Sequence, residues 1–159
     1  MKKQTTFNLE EERLIDEVKK RQAKRVLIQL PEGLKAEGPR LASVVEKAGA
    51  LVVVSADPCY GACDMAFQDA QSLDADLLVH YGHSEMRRQE WVSTIYVEAK
   101  AVISVRGAVK KALPLLKPWK NIGLVTTIQH VDMLGEARQT LLEAGKSVAV
   151  GDAGRMKYS

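Results

Sequence analysis

The sequence predicts an α/β protein made of repeated small parallel-sheet βαβ domains with flanking helices. Three observations carry this. Short apolar runs, "RVLIQL", "ALVVVSAD" and "ADLLVHYGHS", alternate with amphipathic segments. Each run is stopped by proline, glycine or a polar loop. The order strand, loop, helix, strand then recurs about 96 residues later. A chain of 159 residues is long enough for one ordinary domain or two small α/β units. At that size roughly 68–70% of the unfolded surface leaves water, so a core forms without disulfides.

Asn8, with Glu11 three residues later, predicts an N-cap and capping box, and Leu14, Ile15 and Val18 fall at helical spacing. A first helix is expected from Leu9 to Gln22. "RVLIQL" is a buried strand ended by Pro31 and Gly33. "GPRLASVVEKAG" reads as a helix with Pro39 in its first turn and Gly49 as its stop. "ALVVVSAD" is the second strand, "CDMAFQDAQSL" a helix, "ADLLVHYGHS" the third strand, and "STIYVEAKA" a further strand. A parallel sheet with right-handed crossovers ends its strands on one edge. That edge gathers Pro31-Glu32-Gly33, the loop from Cys59 to Cys63, and the stretch from His80 to Ser84.

"VKKALPLLKPWKN" reads as a connection between units. Beyond it, a gapless shift of 96 residues sets Ala48-Gly49 on Ala144-Gly145, Val52 on Val148 and Val54 on Val150. This suggests a second copy of the unit, too short for a sheet of its own. The expected division is a first α/β domain over 1–108 and a linker with the start of a second over 109–159, so that the chain is either a fragment of a longer protein or a short relative.

The composition is that of a soluble globular protein, at 46% hydrophobic and 27% charged with a net charge of +3. No basic block is dense enough to predict direct nucleic-acid binding. The N-terminus lacks an apolar signal core, and no run approaches a membrane span. A cytoplasmic location is expected.

Cys59 and Cys63 are the chain's two cysteines. As a redox couple they stand one residue too far apart for CxxC. As zinc ligands they would need His80 and His83 to complete four. Cys63, where the next helix should begin, fits a buried small hydrophobe. Cys59 follows Asp57-Pro58 and precedes Gly61, a sharply turned, exposed loop that presents a thiol for binding.

Three segments, "QLPEGL" at 29–34, "ADPCYGACD" at 56–64 and "LLVHYGHS" at 77–84, together resemble the first domain of the diphthamide synthase family in its archaeal homodimeric form. The resemblance runs from Gln29 to the end, where "GDAGRMKYS" is similar to the approach to the family's second cysteine motif. It implies three related α/β domains, each giving one cysteine to a single 4Fe-4S cluster whose fourth iron binds S-adenosylmethionine. It also implies a radical transfer of the 3-amino-3-carboxypropyl group to an imidazole carbon of a histidine in translation elongation factor 2, the first step of diphthamide biosynthesis. A homodimer and an electron donor come with it. The CxxxCxxC triplet of ordinary radical enzymes is missing. On this resemblance Cys59 matches a cluster ligand and Cys63 matches none. The second and third cluster cysteines are not among these residues, so the chain alone is not expected to hold the cluster or to catalyse the transfer.

Beside the cluster, Glu32 is a candidate for an ammonium or ribose hydroxyl, while Gly33 and Gly61 are candidates for close backbone approach; a plain turn explains each equally well. His83 is expected to line the cofactor site and His80 to be a satisfied, partly buried histidine. His130 takes the place equivalent to Leu34 in the second copy. Lys2-Lys3, Lys19-Lys20-Arg21 and Arg87-Arg88 read as solvated surface, or a basic rim for an acidic partner, and Trp91 and Trp119 as packing or interface residues. Two alternatives stand beside this reading: a quinolinate-synthase-like 4Fe-4S dehydratase, and a non-catalytic interaction module.

Overall fold

The computed structural model describes residues 6–86 and 92–151. Lys2-Lys3, Arg87-Arg88, Trp91 and most of the "GDAGRMKYS" segment lie outside them. The chain divides into two compact units, Leu9–Ala99 and Met1–Asn8 with Lys100–Ser159. The boundary expected after residue 108 falls inside the helix Arg106–Ala112.

The Leu9–Ala99 unit runs α1 (Glu11–Lys20), β1 (Arg25–Gln29), a 3-10 turn (Glu32–Glu37), α2 (Gly38–Lys47), β2 (Leu51–Val54), α3 (Phe67–Ser72), β3 (Leu77–Tyr81) and β4 (Thr94–Val97). The four strands form one sheet in the order β2-β1-β3-β4, parallel throughout. β1 and β3 are central and almost wholly buried, which is why they read as continuous apolar runs. β2 is an edge strand, and Leu51 on it is exposed. Leu27 and Leu78 pack with Ala70 of α3 and Val92. Strand alternation sends Val26, Ile28, Leu77 and Val79 to the opposite face, where α2 packs and α1 packs on α2.

Two local expectations fail. The Asn8–Glu11 capping box does not form: α1 is preceded by Glu10 in the left-handed region with no side-chain cap. Asn8 instead gives its N–H to Lys100 O at 2.8 Å, beside the antiparallel bridge of Phe7 to Ala101, within the other unit. The helix expected from Cys63 starts only at Phe67, because Gly61 to Asp64 form a turn, Asp64 N–H bonding to Gly61 O at 3.0 Å. The Gln29 amide takes the Asp64 carbonyl and the Ala66 N–H that an earlier helix would use.

The second unit contains α4 (Arg106–Ala112), β5 (Asn121–Leu124), a 3-10 turn (Ile128–Met133), α5 (Leu134–Glu143) and β6 (Ser147–Val150). The expected linker therefore begins as helix. Its N-terminus is capped by the Glu136 carboxylate, which accepts from Val105 N–H at 2.6 Å and from Ser104 Oγ at 2.8 Å, holding that carboxyl below its ordinary range.

The repeat is realised bond for bond. Adding 96 to the 3-10 turn, helix and edge strand Glu32–Glu37, Gly38–Lys47 and Leu51–Val54 gives Ile128–Met133, Leu134–Glu143 and Ser147–Val150. Register shifts with them, Val26 opposite Val52 becoming Ile122 opposite Val148. The bond of Ser55 N–H to Ile28 O becomes that of Gly151 N–H to Leu124 O, and Gly49 and Gly145 both end their helices at positive φ.

Candidate metal and cofactor site at the strand ends

Parallel pairing of β2, β1 and β3 brings their C-terminal ends to one edge of the sheet, where the loop of residues 55–66 meets the end of β3. Ala56, Asp57, Pro58 and Tyr60 on that loop are exposed, as its Asp57-Pro58 start suggested, yet the Cys59 side chain turns inward and is 5% exposed. Cys63, expected to be buried, sits in the Gly61–Asp64 turn and is exposed. The two thiols thus reverse the burial read from sequence, and they do not form a disulfide.

Burial pushes the Cys59 thiol above its ordinary pKa, against a hydrogen bond from the Gly61 main chain and the nearby Lys35 charge, which favour the thiolate. A redox thiol needs the opposite balance. The anionic form here calls for a cation at the sulfur, which a metal supplies.

The ligand atoms of Cys59, His80 and His83 lie within 4.8 Å of one another. The four-ligand set that would add Cys63 is not assembled. His80 is fully buried, with Nδ1 2.8 Å from Gln29 Oε1 and Nε2 3.0 Å from His83 Nδ1. Burial, then the neighbouring His83, lowers its pKa to about 4. Desolvation also lowers that of His83, opposed by a hydrogen bond to the Tyr81 carbonyl. His80 was expected to be a satisfied histidine, and it is one, bonded on both nitrogens.

The cysteine loop is tied at both limbs. Lys35 Nζ donates to Ser55 O at 2.9 Å and to Asp57 O at 2.5 Å. Gln29 Nε2 donates to Asp64 O at 2.7 Å, and Gln29 Oε1 accepts from Ala66 N–H at 3.2 Å. Between the limbs, Asp64 Oδ2 accepts from Tyr60 N–H at 3.1 Å. A cleft of about 200 Å³ opens here, lined in part by Gln29, Ser55, Asp57, Asp64 and Asp69.

Glu32 and Gly33 lie in the 3-10 turn after β1 and are exposed. Gly33 has an ordinary φ and no atom near where its Cβ would stand, so the backbone does not demand glycine there. Gly61 also has an ordinary φ, and a Cβ on it would meet Cys63 Sγ at 3.4 Å, an ordinary contact. The glycine that this edge does demand is Gly82, with φ +86° and a Cβ position 2.9 Å from Pro31 Cγ. This approach fastens the end of β3 to the turn after β1. His130 lies in the 3-10 turn of the other unit, and Trp119 in that unit is exposed.

Sequence reasoning missed Gln29, Lys35, Asp64 and Gly82. A glutamine closing an otherwise apolar central strand was the available signal for Gln29. Nothing local marks the other three.

Residues 30–159 match the family model described as "Putative diphthamide synthesis protein". The chain belongs to this diphthamide synthesis family. Among named relatives, the 2-(3-amino-3-carboxypropyl)histidine synthase of Pyrococcus horikoshii is 40% identical over 139 residues, covering 87% of this chain and 41% of the relative. Subunit 1 of the enzyme of that name from Schizosaccharomyces pombe is 35% identical, covering 85% and 32%. The human subunit 1 is 32% identical, covering 86% and 32%. The chain thus spans less than half the length of these family members. The crystal structure of Dph2 from Pyrococcus horikoshii superimposes with a TM-score of 0.84 at 36% identity, covering 96% of this chain and 46% of that one. The structure of Dph2 with a 4Fe-4S cluster gives a TM-score of 0.84 at 37% identity, covering 95% and 45%.

Proposed function

We propose that this chain is the part of a 2-(3-amino-3-carboxypropyl)histidine synthase in which Cys59 gives one thiolate to a 4Fe-4S cluster, in an enzyme that carries the 3-amino-3-carboxypropyl group of S-adenosylmethionine to a histidine of translation elongation factor 2. The observation that carries the reading is a buried thiol at the C-terminal edge of the parallel sheet, in a chain that matches a cluster-holding relative over 95% of its length.

The donor set fits one corner of such a group. A single inward thiol, Cys59, is the soft ligand that iron–sulfur clusters take. Both ring nitrogens of His80 already have partners, and Cys63 stands outside the group of ligand atoms. The two further thiolates that this reading requires are not among these 159 residues. When bound, the cluster supplies a single electron and an iron position without a protein thiolate, where the methionine portion of the cofactor is held.

The residues of this chain do the preparatory work. Lys35 and Gln29 hold the two limbs of the cysteine loop, so the thiol is in place before a metal arrives. Gly82 lets β3 end against Pro31 and sets His83 beside the thiol. Glu32, Gly33 and His83 remain our candidates for cofactor contacts, with Gly61 giving its N–H to the Cys59 sulfur. We also place the whole protein in the cytoplasm as a homodimer served by an electron donor. Among the described residues no helix is long and apolar enough to cross a membrane.

The test is anaerobic reconstitution with iron and sulfide of the longest form of the gene product, in wild type and in Cys59→Ala and Cys63→Ala variants, with iron and zinc counted per chain. Iron retained in Cys63→Ala and lost in Cys59→Ala is expected, together with transfer of label from S-adenosylmethionine to elongation factor 2. Zinc in place of iron, lost in both variants, would overturn the reading.

A further inference from the structure

Gln29 closes β1 fully buried, and main-chain groups of the cysteine loop fix which way its amide faces. Nε2 donates to a carbonyl, that of Asp64, while Oε1 accepts an N–H, that of Ala66. Flipping the amide would set oxygen against oxygen and N–H against N–H, so neither end can exchange. The atom 2.8 Å from His80 Nδ1 is therefore an oxygen, which only accepts, and the proton between them belongs to Nδ1.

His80 is fully buried with an amide and an imidazole as its partners and, among the described residues, no carboxylate bonded to it, so its ring is neutral. Its lone pair then falls on Nε2, 3.0 Å from His83 Nδ1. That contact needs a hydrogen, and Nδ1 of His83 has to provide it. The Tyr81 carbonyl is a further acceptor for the His83 ring. Through two relays, a pair of backbone groups at Asp64 and Ala66 thus dictates the tautomer of a residue that is itself partly exposed.

We propose that Gln29 and His80 are positioning residues that lock His83 in its Nδ1–H tautomer, leaving Nε2 as the ring atom that accepts a hydrogen bond from an N–H or O–H group of a ligand seated against His83. The alternative tautomer would present a donor at that atom and reject such a group. The relay exists in the metal-free chain and does not depend on the cluster, so its failure would leave the proposed function untouched.

Long-range proton–nitrogen correlation spectra of the histidine rings in metal-free, nitrogen-15-labelled protein test it directly. His80 and His83 are expected to carry their protons on Nδ1 in wild type, with each ring assigned by substitution. His80→Gln, whose amide can donate to Gln29 and accept from His83, should keep His83 protonated on Nδ1; His80→Leu should lower the share of that form, with the Tyr81 carbonyl left as an acceptor for the ring. Gln29→Leu should have the same effect as His80→Leu. A proton on His83 Nε2 in wild type would overturn the proposal without any variant. Indistinguishable His83 spectra in His80→Gln and His80→Leu would overturn it as well.

Discussion

Acid should destabilise the Leu9–Ala99 unit chiefly through His80. The ring is wholly inside the protein and its folded pKa is lowered to about 4, from an ordinary 6.5. Between those values the unfolded chain binds a proton that the folded chain refuses, so stability rises with pH across that window. The contribution is present in full above about pH 6.5 and is lost as pH falls towards about 4. At about 1.4 kcal/mol for each pH unit, the loss by pH 4.5 is roughly 2–3 kcal/mol. His83, whose pKa is lowered too, adds with the same sign.

Urea unfolding of metal-free protein at pH 7.5 and pH 4.5, followed by circular dichroism, reads this loss as a fall in midpoint of roughly 1–2 M for a unit of this size. His80→Gln is the control, because an amide of similar reach keeps both hydrogen-bond roles and cannot titrate. The Glu17 carboxyl, lowered by its bond with Arg21, acts equally on both proteins and cancels. Equal losses of stability in wild type and His80→Gln would refute the reasoning.

Two further substitutions probe the frame. Gly82→Ala forces a side chain into the left-handed region and against Pro31, so a loss of about 1–3 kcal/mol is expected; an unchanged Tm would mean the approach to Pro31 is not tight. Lys35→Met removes the bonds to Ser55 O and Asp57 O, and should cost only about 1 kcal/mol overall while speeding amide exchange in residues 55–64. Exchange there as slow as in wild type would show that Lys35 does not hold the loop.

The strands and their shared edge were legible because burial on both faces leaves a continuous apolar run with abrupt stops, as in "RVLIQL" before Pro31. The repeat was legible from a few matches, such as Ala48-Gly49 with Ala144-Gly145, since helix stops and strand positions recur even where identities do not. The local termini were not. Asn8 is drawn into a strand-like bridge, and Asp64 and Ala66 are drawn to a side chain 35 or more residues away, so in both places a distant partner outbid the local signal. For the same reason the two cysteines were read with their burial inverted: four residues of turn decide which thiol faces in, and no periodicity encodes that.

The second copy separates what the frame supplies from what the site adds. Strand register, 3-10 turn, helix and closing bonds recur at a distance of 96 residues, yet at the equivalents of the site's polar clamps the chain has Val125 for Gln29, Val131 for Lys35 and Gly151 for Ser55. A β-carbon on Gly151 would strike Val125 at 2.7 Å, so this corner has no room for a counterpart of Ser55. The same backbone, with the same register, therefore stands without the amide that ties Asp64, Ala66 and His80 in the first copy. Since both copies fold to one pattern, that pattern is not the reason for Gln29 and Lys35. Their hydrogen bonds go to the cysteine loop and to His80, and the loop they hold is the part of the unit that carries a thiol. The clamps belong to the cysteine loop and His80, and the fold around them is the part that is reused.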